Sequence, residues 1–158
     1  MVNKKELKPF DLRQYPIVPL VGVGVLLTRD NSLLIVKRKF DPDAGYWAIP
    51  GGHLDLGEKV EYAAEREAYE ETGFIVKVSK LACIIDKIMY DSHGKVEYHY
   101  VLINYFVEQI EGDRDQEPIP NSDALDAKFV SYDELKDYTL TDSLIELLQQ
   151  LKIGYDSI

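Results

Sequence analysis

Apolar runs separated by polar turns divide this chain into strands and two helical stretches. Residues 1–16 are polar, carry Pro9 and Pro16 and show no clear period, which predicts an arm or an early edge strand. Val18 to Thr28 and Leu33 to Arg38 are apolar, with a turn signal at Asp30-Asn31-Ser32, and together they predict a hairpin. Phe40 to Tyr46 reads as a loop, and Trp47-Ala48-Ile49 as a short strand stopped by Pro50-Gly51-Gly52. From about Lys59 to Thr72 the pattern is helical, and Gly73 supplies a left-handed stop. Asp55 and Glu58 have capping-box spacing, which would let the helix begin earlier. Phe74 to Ile85 and Val96 to Val107 are β-rich and flank a turn at Asp91-Ser92-His93-Gly94. Glu111 to Asp126 reads as a long polar loop, and Ala127 to Tyr132 as a last short strand. Thr141-Asp142-Ser143 offers caps to a final helix with Leu144, Leu147, Leu148 and Leu151 on one face. The order β-β-β-α-β-β-β-α predicts an α/β fold, a mixed sheet covered by helices.

The first helix carries its carboxylates in an unusual place. With Val60 at zero and about 100° per residue, Ala63, Ala64 and Ala68 fall at roughly 300°, 40° and 80°. These small residues mark a face packed close to its neighbour. Glu67 and Glu71 fall at roughly 340° and 20°, in the middle of that face, and Glu70 at roughly 280°, on its margin. Removing carboxylates from water costs several kcal/mol each unless something compensates. Protonation, pairing with Arg66 or a lysine, or a hard divalent cation such as Mg2+ or Mn2+ would each serve. A solvated Glu-rich face is the ordinary alternative. The alanine face weakens it, and Gly51-Gly52 would let backbone atoms approach a ligand closely.

Composition narrows the partners. Lys+Arg 18 against Asp+Glu 28 gives a net charge of −10, which disfavours polymeric nucleic acid. Cys83 is the single cysteine, so neither a disulfide framework nor a Cys-based zinc cluster can form within the chain. The N-terminal lysines precede no apolar leader, and the stretch from Ile17 to Leu27 is too short to span a bilayer. A cytoplasmic protein with no membrane partner is expected.

The helix and the turn before it carry a resemblance. Gly52, Glu58, Arg66-Glu67, Ala68, Glu70-Glu71, Gly73 and Phe74 stand at the spacings of the Nudix box, without a departure. Nine specified positions in a 23-residue window make chance agreement improbable. The resemblance to the Nudix family covers roughly residues 17–153 and implies an α/β/α sandwich. It divides the chain into an arm at 1–16 and a hydrolase domain at 17–158. It also implies metal-dependent hydrolysis of a nucleoside diphosphate linked to another moiety. Glu67, Glu70 and Glu71 would hold the metal beside a Gly51 or Gly52 carbonyl, and Arg66 would orient them with Glu58. The proton acceptor would be Glu71, or Glu117, Asp123 or Asp126 in the later loop.

Substrate markers are sparse. The proline common in relatives acting on ADP-ribose is absent, since the next proline after Gly73 is Pro118. Tyr90 stands 17 residues beyond Gly73, near the tyrosine of relatives acting on dinucleoside polyphosphates. Lys37, Arg38 and Lys39 could reach phosphates, and Tyr90, Tyr98, Tyr100 and Phe129 could stack on a base. The histidines show no ligand spacing and are given no role. A small substrate is expected, ADP-ribose-like, a nucleotide sugar or a (d)NTP. A dinucleoside polyphosphate hydrolase, a non-catalytic nucleotide sensor and an RNA cap hydrolase are the alternatives. The arm could swap into a homodimer.

Overall fold

The computed structural model describes residues 12–154. Strands β1 (Leu20–Leu26), β2 (Thr28–Arg29), β3 (Ser32–Arg38), β4 (Trp47–Ala48) and β5 (Gly51–His53) precede helix α1 (Val60–Thr72). Strands β6 (Val76–Tyr90), β7 (Val96–Gln109) and β8 (Ala124–Ser131) follow, then a 3-10 helix (Tyr132–Asp137) and α2 (Asp142–Leu151). One sheet is mixed, in the order β5-β1-β7-β6, with β1 parallel to β7 and the other pairs antiparallel. In the second sheet β3 pairs with β2, β4 and β8. Helices cover the sheets, as the α/β expectation required.

Four local readings change. The last strand starts at Ala124, which takes Asp126 out of the expected loop. The expected hairpin of the first two apolar runs is confined to Thr28–Arg29 against Ser32–Leu33. β1 itself enters the other sheet, where it fits between β5 and β7. Gly51–His53 is not merely a turn but a strand paired with β1. The helix starts at Val60, although the Asp55 N–H does donate to Glu58 Oε2, half of a capping box, at 3.1 Å. Gly73 ends α1 with φ 75°, as its type predicts.

Alternation along β1 explains the layers. Val23 and Val25 face α1 and pack with Ala63, Ala64, Ala68 and Phe74. The alanines bring the helix axis close to the sheet. Leu26 faces the other way, into a core with Leu33, Ile35, Leu144, Leu147 and Leu148 under α2. Burying each such leucine contributes about 1.5–3 kcal/mol. Thr141 caps α2, accepting from the Leu144 N–H at 3.3 Å. On the α2 side of β1, Gly22 and Gly24 stand between Leu20 and Leu26, so this face of the sheet is open there. Residues 12–16, the end of the expected arm, run beside β7, where the Tyr15 N–H donates to Glu97 O at 2.7 Å. The rest of the arm, and with it the swapped dimer, lies outside the described residues. Among the described residues no helix is long and apolar enough to cross a membrane.

Candidate active site

The carboxylates of α1 follow their helical angles. Glu71, nearest the centre of the apolar face, is 6% exposed. The Glu67 side chain is 14% exposed, and that of Glu70, on the margin, is 43% exposed. One of the compensations anticipated for such groups, pairing with Arg66, is made on this helix. Arg66 forks onto Glu58, with Nε to Oε1 at 2.8 Å and a terminal nitrogen to Oε2 at 3.0 Å. Its other terminal nitrogen donates to Glu67 Oε1 at 2.7 Å and Glu70 Oε2 at 3.2 Å. The terminal nitrogen on Glu58 also donates to the His53 carbonyl at 3.0 Å, which ties α1 to β5. The guanidinium holds Glu58 below the usual carboxylate range, while burial pushes Glu67 up despite its arginine.

Glu71 lies beyond that reach. Its Oε2 accepts the Gly51 N–H at 2.9 Å, its one hydrogen bond among the described residues. Burial, reinforced by the charges of Glu67 and Asp123, pushes its carboxyl up to about 8. Gly51 supplies that N–H at the close approach of β5 to α1. A Cβ on Gly51 would fall on the Val23 carbonyl of β1, and one on Gly52 would displace the Glu67 carboxylate.

Beside Glu71 opens a cleft between the sheets and the N-terminal end of α2. Its floor is Gly22 and Gly24 of β1, flanked by His53 of β5 and by Tyr100, Leu102 and Asn104 of β7. Arg13, Lys87 and Asp123, with Arg38 and Lys39 from the end of β3, stand on its rim. Arg38 Nε donates to the Pro42 carbonyl at 2.9 Å. Lys87 forms an ion pair with Asp43, and its burial lowers its pKa.

Of the side chains expected to contact substrate, the structure brings Arg38, Lys39 and Tyr100 to the cleft but not Lys37, Tyr90, Tyr98, Phe129, Glu117 or Asp126. Lys37 and Asp126 face one another in the β3–β8 register, and Asp126 pairs with Lys128 at 3.4 Å. Tyr90 is 62% exposed at the far end of β6. Among the loop carboxylates weighed as proton acceptors, Asp123 alone lines the cleft. Its segment is docked on the end of α1, where the Ile119 N–H donates to Thr72 O at 2.9 Å and the Asn121 N–H to Glu71 O at 3.2 Å. These bonds satisfy carbonyls that a helix end leaves open. Sequence reasoning gave no role to His53. Its place on the cleft follows from β5 being a strand, so that Gly52 faces α1 and His53 faces away.

The residues suit a divalent cation in kind. Hydrogen bonds among the described residues engage Glu67 Oε1, Glu70 Oε2 and Glu71 Oε2, leaving the second oxygen of each carboxylate without a partner. Hard oxygen donors at i, i+3 and i+4 are the set that Mg2+ or Mn2+ takes. In the arrangement shown, no group of three or more His, Cys, Asp or Glu side chains is gathered as a finished metal cage among the described residues.

Comparison with known proteins identifies the family. The NUDIX domain family matches residues 18–151. An ADP-ribose pyrophosphatase of Methanocaldococcus jannaschii is 36% identical over 135 residues, 84% of this chain and 75% of that protein. An RNA pyrophosphohydrolase of Mesorhizobium japonicum is 38% identical over 90 residues, 53% of this chain and 51% of its own. The crystal structure of a MutT NUDIX hydrolase from Burkholderia pseudomallei superposes with a TM-score of 0.70 at 31% identity, covering 85% of this chain and 98% of that one. The chain belongs to the NUDIX family and is a hydrolase of phosphoric anhydride bonds, a pyrophosphohydrolase of nucleotide derivatives.

Proposed function

We propose that the chain hydrolyses the diphosphate of a small nucleoside diphosphate derivative, ADP-ribose-like or another nucleotide sugar, in the cytoplasm. The observation that carries the hydrolysis is Glu71, a buried carboxylate with one hydrogen bond at the mouth of a cleft floored by glycine, and the nucleotide sugar is favoured by the similarity to the ADP-ribose pyrophosphatase of Methanocaldococcus jannaschii. Glu67, Glu70 and Glu71 would hold Mg2+ or Mn2+, with a Gly51 or Gly52 carbonyl nearby. When bound, the cation neutralises charge on the diphosphate and lowers the pKa of water. Arg66 fixes Glu67 and Glu70 from the solvent side, and Glu58 anchors Arg66. Arg38 and Lys39 offer positive charge to the phosphates at the cleft rim. Asp123, reaching the cleft from a docked loop, accepts the proton of the attacking water, which leaves Glu71 free to serve the metal.

A panel of ADP-ribose, other nucleotide sugars, (d)NTPs, dinucleoside polyphosphates and 5′-triphosphate RNA, with Mg2+ or Mn2+, tests this reading. The expected result is metal-dependent turnover of a nucleotide sugar, abolished by EDTA and lowered about 100-fold or more in Asp123→Asn. A preference for RNA, or binding without turnover of any compound, would overturn it.

A further inference from the structure

Two polar atoms in the cleft have nothing to bond. His53 Nε2 and the Tyr100 hydroxyl are buried and find no hydrogen-bond partner among the described residues. Tyr100 is 5% exposed, so bulk water does not compensate for the loss. The two rings stand together, with centroids 5.5 Å apart, on adjacent parts of one sheet face. Between their strands runs β1, in register Gly22 to His53 and Gly22 to Leu102. A Cβ on Gly22 would press on the Leu102 side chain, and one on Gly24 on Asn104 and Ile49. The sheet therefore keeps a hollow beside an unmatched polar pair. Leaving such groups unpaired is costly, and native proteins seldom do so without reason.

We infer that His53 and Tyr100 form a hydroxyl-reading subsite for the sugar on the far side of the diphosphate. This rests on the nucleotide-sugar reading above. The backbone of β5 places the pair. Gly52 backs onto Glu67 while His53, one residue on, faces the opposite way into the cleft, so a substrate held at the carboxylates extends its second moiety over the glycine floor. A sugar hydroxyl both donates and accepts. It satisfies a phenol and an imidazole in whichever tautomer the ring adopts. A phosphate only accepts, and so matches the pair in fewer arrangements. The apolar contacts of Leu102 and the bare glycines suit the carbon face of a furanose ring. Tyr100 and His53 are thus specificity residues, bound to the part of the substrate that does not react.

Binding of ADP-ribose and of ADP to the full chain in EDTA, measured by calorimetry, separates this inference from the activity it rests on. Tyr100→Phe and His53→Leu should each weaken ADP-ribose by about three- to tenfold, and ADP by clearly less. Under turnover with Mg2+ the same loss should appear in KM rather than kcat. The ligand-free Tyr100→Phe protein should also melt at a higher temperature, because it no longer buries an unpaired hydroxyl. Equal losses for ADP-ribose and ADP, or no loss for either, would overturn the subsite. A wild-type protein that binds ADP-ribose through this pair but hydrolyses nothing would sink the proposed activity and leave the subsite standing.

Discussion

Two regions of α1, one turn apart, treat charge in opposite ways. Around Arg66 every carboxylate within reach is matched. One guanidinium serves Glu58, Glu67, Glu70 and a backbone carbonyl. Around Glu71 the matching stops, and a buried carboxyl has one backbone N–H. Folding alone would favour the first arrangement everywhere, since an under-satisfied buried group is a net cost. The contrast separates what positions from what reacts. The arginine network fixes Glu67 and Glu70 by one oxygen each and leaves the other oxygen of each to a ligand. Glu71 is stabilised only when something else arrives.

Breaking the under-satisfied end should have the largest effect. Glu71→Gln keeps the shape and removes the charge, and metal-dependent turnover should fall by at least about 100-fold. The same variant should be the more stable protein without metal. Folded Glu71 holds its proton to about 8, against an ordinary value of 4.5. Between those pH values unfolding releases a proton, so wild-type stability falls as pH rises, by up to about 1.4 kcal/mol per unit. Below the lower value the contribution vanishes, and above the upper one it is constant. Urea unfolding in EDTA should therefore show Glu71→Gln gaining on the wild type at pH 8 far more than at pH 5. A gain independent of pH would show that the buried carboxyl is not the cause.

Loosening the matched end should cost less activity and more stability. Arg66→Lys keeps one positive charge but cannot fork onto Glu58 while holding Glu67 and Glu70. Turnover should drop about 10- to 100-fold, and metal affinity with it. Unfolding should become easier by about 2 kcal/mol, with Glu67 left half-paired. If stability were unchanged, the network would be a surface decoration and the contrast would fail. Smallest of all, Glu117→Gln and Asp126→Asn should leave kcat/KM within about twofold, since neither side chain lines the cleft. A large loss in either would move the proton acceptor away from Asp123.

The helix was legible because a local period fixes it. Alanines and glutamates at known angles predict which carboxylate is buried, and the exposures of Glu70, Glu67 and Glu71 fall in that order. Gly73 and the cap at Thr141 are likewise local signals. Strand partners are not local. β1 and β3 look like a hairpin because a turn joins them, yet β1 finds longer registers with β7 and β5 elsewhere. Gly51–His53 looks like a turn because glycine usually marks one. Its strand character comes from pairing with β1, and the facing of His53 follows from that pairing. The same limit hid Asp123 among several acidic loop residues. Only backbone bonds to the end of α1 decide which carboxylate reaches the cleft.

That docking has a consequence for how the molecule tolerates change. The bonds from Ile119 and Asn121 to the last carbonyls of α1 work as a clamp across the loop. Upstream of the clamp, the exposed stretch from Glu111 to Asp115 can gain or lose residues without moving the site, up to Gln116, whose carbonyl accepts from Arg29 at 2.9 Å. Downstream, two residues separate Asn121 from the strand at Ala124, and a single insertion there would carry Asp123 out of the cleft. The acidic loop is therefore two pieces with different freedoms. One can be rewritten to change the surface, and the other is as fixed as the helix that holds it.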